Sequence, residues 1–395
     1  MSISASGLIA ACRDTAVDAG LHIHSSLEPL GGEGSPIKPA VYEGGVYQHD
    51  RRWPPDGRAE PVDVLVVDNV PSQANRLEAA LERHAGWLGL PRVVLDLSGV
   101  GALPPHLPAT ISGFRFPHRH ADAYLRDSML DGTPFQRTEI GRRLRDATSD
   151  HPAALLEWFP QALLFGFWQS HLAKGQSQAK LARSWISETV GYEPATTETR
   201  QLGLKGDPLN LSVEQRVQFD ESDRSAWELT EEARGGGRGE RLSELGHGQV
   251  PISVNDAAPG GVSFASIEQQ ATLSLAGLRR LTFGAEDPRN APARAVVAAI
   301  GLFAHAAAFD RAFSLRSGCD LRSTGSTWTW LGEAGDTPVD PLDVASAREL
   351  LEGCAAAAEE VGLPVGSAWP SEPLVVEPHE QLSKAIRKTY PEVDS

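Results

Sequence analysis

A chain of 395 residues with 41% apolar and 22% charged side chains is long enough for two to three domains, or for one enlarged α/β domain, around a real core. A net charge of −16 argues against a generic nucleic-acid binder, since such domains are commonly basic. No apolar run approaches the ~20 residues that cross a bilayer and no charged-then-apolar leader opens the chain, so a cytosolic protein is expected. Cys12, Cys319 and Cys354 are odd in number and far apart, which fits reduced core thiols and no disulfide framework.

The charge is unevenly spread. Residues 331–380 hold eleven Asp or Glu against the single Arg348, whereas residues 114–145 carry seven arginines against four acids. An acidic flank joined to a basic middle permits contact with a polyanion on one face.

In chain order, "VDVLVVDNV" (Val62 to Val70) is a β-branched run and reads as a buried strand. The following "PSQANRLEAALERHAGWLG" places Ala74, Leu77, Leu81 and Leu88 on one helical stripe, with Asn69 or Ser72 as the cap and Arg76 and Arg83 on the opposite face. "PRVVLDLSG" reads as a second strand that closes a β-α-β unit of about 40 residues. The segment 101–120 is rich in Pro, Gly, Arg and His and reads as an excursion from the core. A basic helical stretch, "TEIGRRLRDATSD", precedes the apolar run Leu155 to Trp168. "RSWISETVGYEP" reads as a strand, and residues 195–240 as an insertion with short strands such as "EQRVQF".

Further on, "GGVSFASIEQQATLSLAGLRRLTF" reads as strand then helix, or as strand, loop, strand, and "ARAVVAAIGLFAHAAAF" as a buried helix. "AFSLRSGCDLRS" and "STWTWLG" read as closing strands. An acidic amphipathic helix, "DVASARELLEGCAAAAEEV", is predicted to stop at Gly362 before Pro364. No repeat of solenoid period occurs, and a split β-α-β sheet with excursions is the simplest architecture.

The stretch "SHLAKGQSQAKLARSWISETVG" (residues 170–191) carries the clearest chemistry. Lys174 and Lys180 flank Gly175, Gln176, Ser177 and Gln178, and Arg183 follows. Glycine lets a backbone approach a phosphate closely, Lys and Arg supply charge, and Ser and Gln supply neutral donors. A solvated surface loop is the plainer alternative. Walker and dinucleotide glycine patterns are absent, and so are HExxH, GxSxG and a Cys-His metal spacing, so no cofactor is expected. Asp68 and Asp96 end strands, where catalytic carboxylates often sit, but no further pattern accompanies them.

Five blocks in order, "SQANRLEAAL", "AKGQSQAKLARSWISETVG" after "LLFGFWQS", "LSELGHGQVP", "GGVSFASIEQQATLSLAGLRRL" and "LRSGCDL", resemble the CRISPR-associated RAMP-superfamily backbone subunit of the type I-U (I-G) interference complex. The resemblance covers roughly residues 24–331. It implies an α+β fold, a modified RNA-recognition-motif (ferredoxin-like) palm over residues 21–331 with thumb- and finger-like insertions at about 100–150 and 195–240, and an acidic helical extension over 332–395. It also implies a non-catalytic protein of the prokaryotic cytoplasm, stacked head to tail with further copies of itself along a guide RNA that pairs with target DNA. Its partners would be the other subunits of the complex and a separate helicase-nuclease, with no membrane. Such a protein grips phosphate and sugar and leaves sequence to base pairing.

On that reading the RNA-contacting residues are Asn75 and Arg76 at the start of the first helix, Arg115 and Arg119 in a thumb beside His118 and His120, and Lys174, Gln176, Ser177, Lys180 and Arg183. His247, between two glycines, Arg279, Arg280 and Arg316 complete the set. The competing readings are a RAMP-type metal-dependent endoribonuclease acting on CRISPR or target RNA, and a free-standing small-molecule enzyme sharing an α/β core.

Overall fold

The computed structural model describes residues 2–54, 57, 59–170, 179–196, 208–209, 211, 215–219, 223–230, 239–247, 260–284 and 287–390. Its elements run α1 (Ala5–Ala11), β1 (Gly20–Pro29), β2 (His49–Arg52), β3 (Val62–Asp68), α2 (Val70–Leu88), β4 (Val93–Asp96), β5 (Thr110–Ser112), β6 (Ser128–Leu130), β7 (Phe167–Gln169), β8 (Ala179–Leu181) and β9 (Trp185–Pro194). There follow β10 (Phe264–Ser274), α3 (Asp287–Phe309), β11 (Phe313–Arg316), β12 (Cys319–Gly332), β13 (Gly335–Val339), α4 (Val344–Glu360), β14 (Leu374–Pro378) and α5 (Glu380–Thr389), with short helices and turns between.

An eight-stranded sheet has the order β11-β12-β1-β10-β9-β3-β2, with β13 added to β12. Its centre is antiparallel throughout: Ile23 faces Ala271 on one side and Trp328 on the other, and Trp185 faces Leu273. The chain visits these four strands as β1, β9, β10, β12, so β10 splits β1 from β9. Helix α2 lies between β1 and β9, and α3 between β10 and β12. Alternation explains which face is covered. Leu21, Ile23 and Leu27 of β1 point into the core with Ala271 and Leu273 of β10, while His22, His24 and Gln270 point away from it.

The β-α-β unit expected from residues 62–99 does not form. β3 pairs with β9 in the large sheet, whereas β4 lies in a second sheet of order β5-β4-β14-β6, parallel to β14 from the C-terminal segment. The strand-helix-strand pattern was correct in its elements, but nothing local encodes which distant strand each one meets. The 101–120 segment also enters the fold: β5 pairs with β4, and Phe114 and Phe116 are buried. Residues 261–284 resolve as strand then helix, β10 followed by a turn of helix at Leu275–Leu278. Within the 195–240 region, Arg216–Phe219 pairs with Trp227–Thr230 and with Glu240–Arg241.

Both long helices lie on one face of the large sheet. In α2, Asn69 caps by accepting from the Ser72 N–H, Pro71 sits in the first turn, and Gly89 ends the helix in left-handed conformation. α3 is buried on nearly every side, from Ala293 through Ala304. Its Pro288–Phe309 segment is long and apolar enough to cross a bilayer, with a mean hydropathy of 1.5, against the expectation that no such run exists; 89% of that window lies inside the fold. α4 packs on α3 through Ala347, Leu350, Leu351, Cys354 and Ala358. Gly362, at φ +73, ends that helix as predicted.

Candidate functional site

The site is built around the first half of α2. Asp68, the last residue of β3, is fully buried, and its carboxylate accepts hydrogen bonds from Gln73 Nε2 (2.7 Å), Ser72 Oγ (2.8 Å) and Arg76 Nε (2.7 Å), and from Arg316. Burial alone would raise its pKa, but the bonds from Arg76, Gln73 and Ser72 together hold it below the usual carboxylate range. Gln73 Oε1 in turn accepts from Ser187 Oγ on β9 (2.9 Å) and Gln269 Nε2 on β10 (2.8 Å). This buried polar network fixes the first turns of α2 on the sheet and leaves Asn75 exposed on the far side.

Arg76 and Arg316 are therefore counter-ions of Asp68, and both also donate to backbone carbonyls, Arg76 to Leu315 and Arg316 to Val67. Asp96 lies in the other sheet and caps a turn by accepting from the Ser98 N–H. The two carboxylates singled out for an enzymatic reading do not share a site.

One turn further along α2, Glu78 and Arg119 form a bidentate ion pair (2.7 and 2.9 Å) whose side chains are 3% and 10% exposed. Arg119 has φ +55, bonds to the Gly166 carbonyl (3.0 Å) and lies over the Phe165 ring. Burial pushes the Glu78 carboxyl up to about 6, with Arg119 opposing. The 113–120 segment is accordingly no free thumb. His118 and Arg115 are exposed, but Arg119 and His120 are interior, because an arginine that neutralises a buried carboxylate must follow it inward. Arg115 pairs with Glu82 at 2.9 Å. Asn75, Glu82, Arg115, Arg119 and Arg183 line a groove of about 430 Å³ beside α2.

The hairpin β7-β8 stands next to this groove. Alternation turns Phe167 and Gln169 inward and leaves Trp168 61% exposed, and the Lys180 ammonium lies 6.0 Å from the Trp168 ring centroid. Arg183, just past β8, is exposed and has no hydrogen-bond partner among the described residues; partial burial and the nearby Arg119 charge lower its pKa. An indole, an ammonium and a guanidinium on adjacent surface positions suit a single strand, whose base stacks while its phosphates pair with the cations. Lys174, Gln176 and Ser177 lie outside the described residues.

Gly166 sets the hairpin's base. At φ +74, an added Cβ would meet the Leu181 carbonyl oxygen at 2.5 Å and the Arg183 nitrogen at 3.0 Å. Gly166→Ala is expected to cost about 1–3 kcal/mol through left-handed strain and that clash, and to displace Lys180 and Arg183 together. Thermal denaturation reads the first effect; an unchanged melting temperature would contradict it.

The remaining expected residues are scattered. His247 is exposed and packs on Trp227, with ring centroids 5.7 Å apart. Arg279 ties down the N-terminal segment by donating to the Ala11 (3.0 Å) and Asp18 (2.8 Å) carbonyls, while Arg280 is exposed. The aromatics of β12 offer no open platform: Trp328 is buried against His305, and Trp330 donates to Asp18. Two groups escaped the sequence reading. Trp168 looked like the end of a core run, and a three-residue strand is too short for its alternation to be read. Arg83 and Arg311 become neighbours only through the fold. Among the described residues, no three His, Cys, Asp or Glu side chains converge as a metal site.

Residues 21–195 match the family described as CRISPR-associated protein GSU0053 (Cas_GSU0053). The CRISPR-associated resemblance read from the sequence blocks is thus met by a family match that runs from β1 through β9. No curated protein matches the chain by sequence. Among solved structures, a chain of a CRISPR RNA-guided surveillance complex (pre-nicking) is similar at 13% identity and TM-score 0.33, over 93% of this chain and 99% of that one. Csc2 of Thermofilum pendens is similar at 9% identity and TM-score 0.26, over 98% and 80% respectively.

Proposed function

With residues 21–195 carrying the pattern of a CRISPR-associated family, we propose that the chain is a non-catalytic backbone subunit of a type I-U/I-G CRISPR surveillance complex, which binds the guide RNA through its sugar-phosphate backbone and assembles head to tail along it in the prokaryotic cytoplasm. Target DNA would then be read by the guide, and the other subunits and a helicase-nuclease would join the assembly. The observation that carries this reading is the exposed Trp168–Lys180 pair of the β7-β8 hairpin, followed by Arg183, which lines the α2 groove, all within the matched segment.

The four central strands support the palm. Their sheet order β12-β1-β10-β9, with a helix in each crossover, is the split β-α-β order of a ferredoxin-like or RNA-recognition-motif core. The insertion between β9 and β10 fits a finger. We take RNA to be gripped without base reading: the sheet face opposite the core shows histidines, glutamine, threonines and the carboxylates of Glu188 and Glu268, the latter bonded to His24, where an RNA-recognition motif commonly stacks bases on aromatics.

The double variant Lys180→Ala/Arg183→Ala is expected to weaken binding of mixed-sequence single-stranded RNA. The slope of log affinity against log salt should become shallower by about 1.4, at ~0.7 for each phosphate no longer neutralised. Fluorescence anisotropy over a salt series, with two RNAs of unrelated sequence, measures both. Equal loss on the two RNAs is the expected result; loss on one alone would mean base readout and refute backbone gripping.

A further inference from the structure

A second cavity adjoins the first groove along α2, with Ala79 bordering both. It encloses about 560 Å³ between α2, the last turn of α3, the start of β11 and Val344 of α4. Arg76, Arg83, His84 and Arg311 line it, against the single acid Asp310. Arg83 and Arg311 are exposed and, among the described residues, have no hydrogen-bond or ion-pair partner. Arg76 forms part of the lining but is already engaged with Asp68, a carboxylate it shares with Arg316. The neighbourhood of four arginines and two buried or bordering acids is thus left with uncompensated positive charge.

Two exposed guanidiniums, with no acidic partner among the described residues, border this concave surface. Planar N–H forks match phosphate oxygens in geometry. The exposed Trp87 ring lies tilted against His84 at 5.8 Å between centroids, and the Arg348 guanidinium sits over it at 4.4 Å. The acidic character of the chain as a whole sharpens the contrast, since this cavity keeps its cations against a net charge of −16.

We propose that this cavity is a second phosphate-binding site, in which Arg83 and Arg311 hold a phosphodiester of the bound RNA strand next to the groove that Arg183 lines. The inference rests on the RNA-binding reading above and extends it. α2 then carries two adjoining concavities, with Ala79 on the ridge between them, for the strand to pass over.

Arg83→Gln/Arg311→Gln tests this, because both side chains are exposed and the variant is expected to melt as the wild-type protein does. Anisotropy with mixed-sequence single-stranded RNA should show roughly tenfold or weaker affinity and a salt slope shallower by about 1.4. Combined with Lys180→Ala/Arg183→Ala, the slope changes should add. Wild-type binding that the Arg83/Arg311 variant leaves unaltered would overturn the second site while the RNA-binding reading stands. If the wild-type protein binds no RNA, that reading fails, and calorimetry with inorganic pyrophosphate decides about the cavity. Pyrophosphate binding abolished in the variant would assign the cavity to a free phosphate ligand and refute the strand as its source; no binding would refute the site altogether.

Discussion

Replacing Arg119 with methionine is expected to cost about 3–5 kcal/mol of stability at neutral pH, because it strands the Glu78 carboxylate in the interior. The pair is bidentate and nearly closed to solvent, so no water can take over the guanidinium's role. Burial already pushes the Glu78 carboxyl up to about 6, and without Arg119 it moves higher still. Its unfolded value is about 4.3. When the folded-state pKa lies above the unfolded one, the folded state holds the extra proton between the two values, so stability is fullest below the lower value and falls as pH rises through the upper one. The variant's deficit should therefore be largest at about pH 8 and shrink towards about pH 5. Urea denaturation at the two pH values measures it, and Glu78→Gln in the same background should recover part of the loss. An equal deficit at both would mean that packing of Arg119 over Phe165, and not charge, is what matters.

Replacing Asp68 with alanine is the second large effect, also expected at about 3–5 kcal/mol. It removes one carboxylate that serves two arginines, and leaves Arg76 and Arg316, whose side chains are 26% and 23% exposed, facing each other without a counter-ion. It also opens the link through Gln73 to Ser187 and Gln269 that seats α2 on the sheet. The pH dependence has the opposite sign to that of Glu78. The Asp68 carboxyl is held below its ordinary value, so its contribution is present above an unfolded pKa of about 3.9 and fades as pH falls through the folded one. The gap between wild type and variant should thus be wide at neutral pH and narrow in acid. Denaturation followed at about pH 7 and about pH 3 gives the comparison. Added RNA should remain intact with Mg²⁺; cleavage by the wild-type protein would contradict the non-catalytic reading.

The sequence carried the elements of this fold more clearly than their pairing. Helix α2, with its Asn69 cap and its Ala74, Leu77 and Leu81 stripe, and helix α4, with Gly362 at its end, follow from local chemistry. The pairing of β4 with β14, some 280 residues later, does not, since short apolar strands carry no address for a distant partner. The site divides in the same way. Lys180 and Arg183 stand exposed, where charge and glycine cluster in the sequence. Arg76, Arg119 and Arg316 were readable as cations but not as interior counter-ions, because Asp68 and Glu78 become their partners only when the sheet and α2 come together. Arg83 and Arg311 are separated by more than two hundred residues and meet only across the α2–α3 packing.

The most direct test is to express the chain together with a CRISPR array and to size and sequence the nucleic acid that purifies with it. RNA of uniform length carrying repeat and spacer sequence, bound along its length by several copies of the chain, is the result this account requires. A monomer that elutes free of RNA, with or without the array, would contradict it.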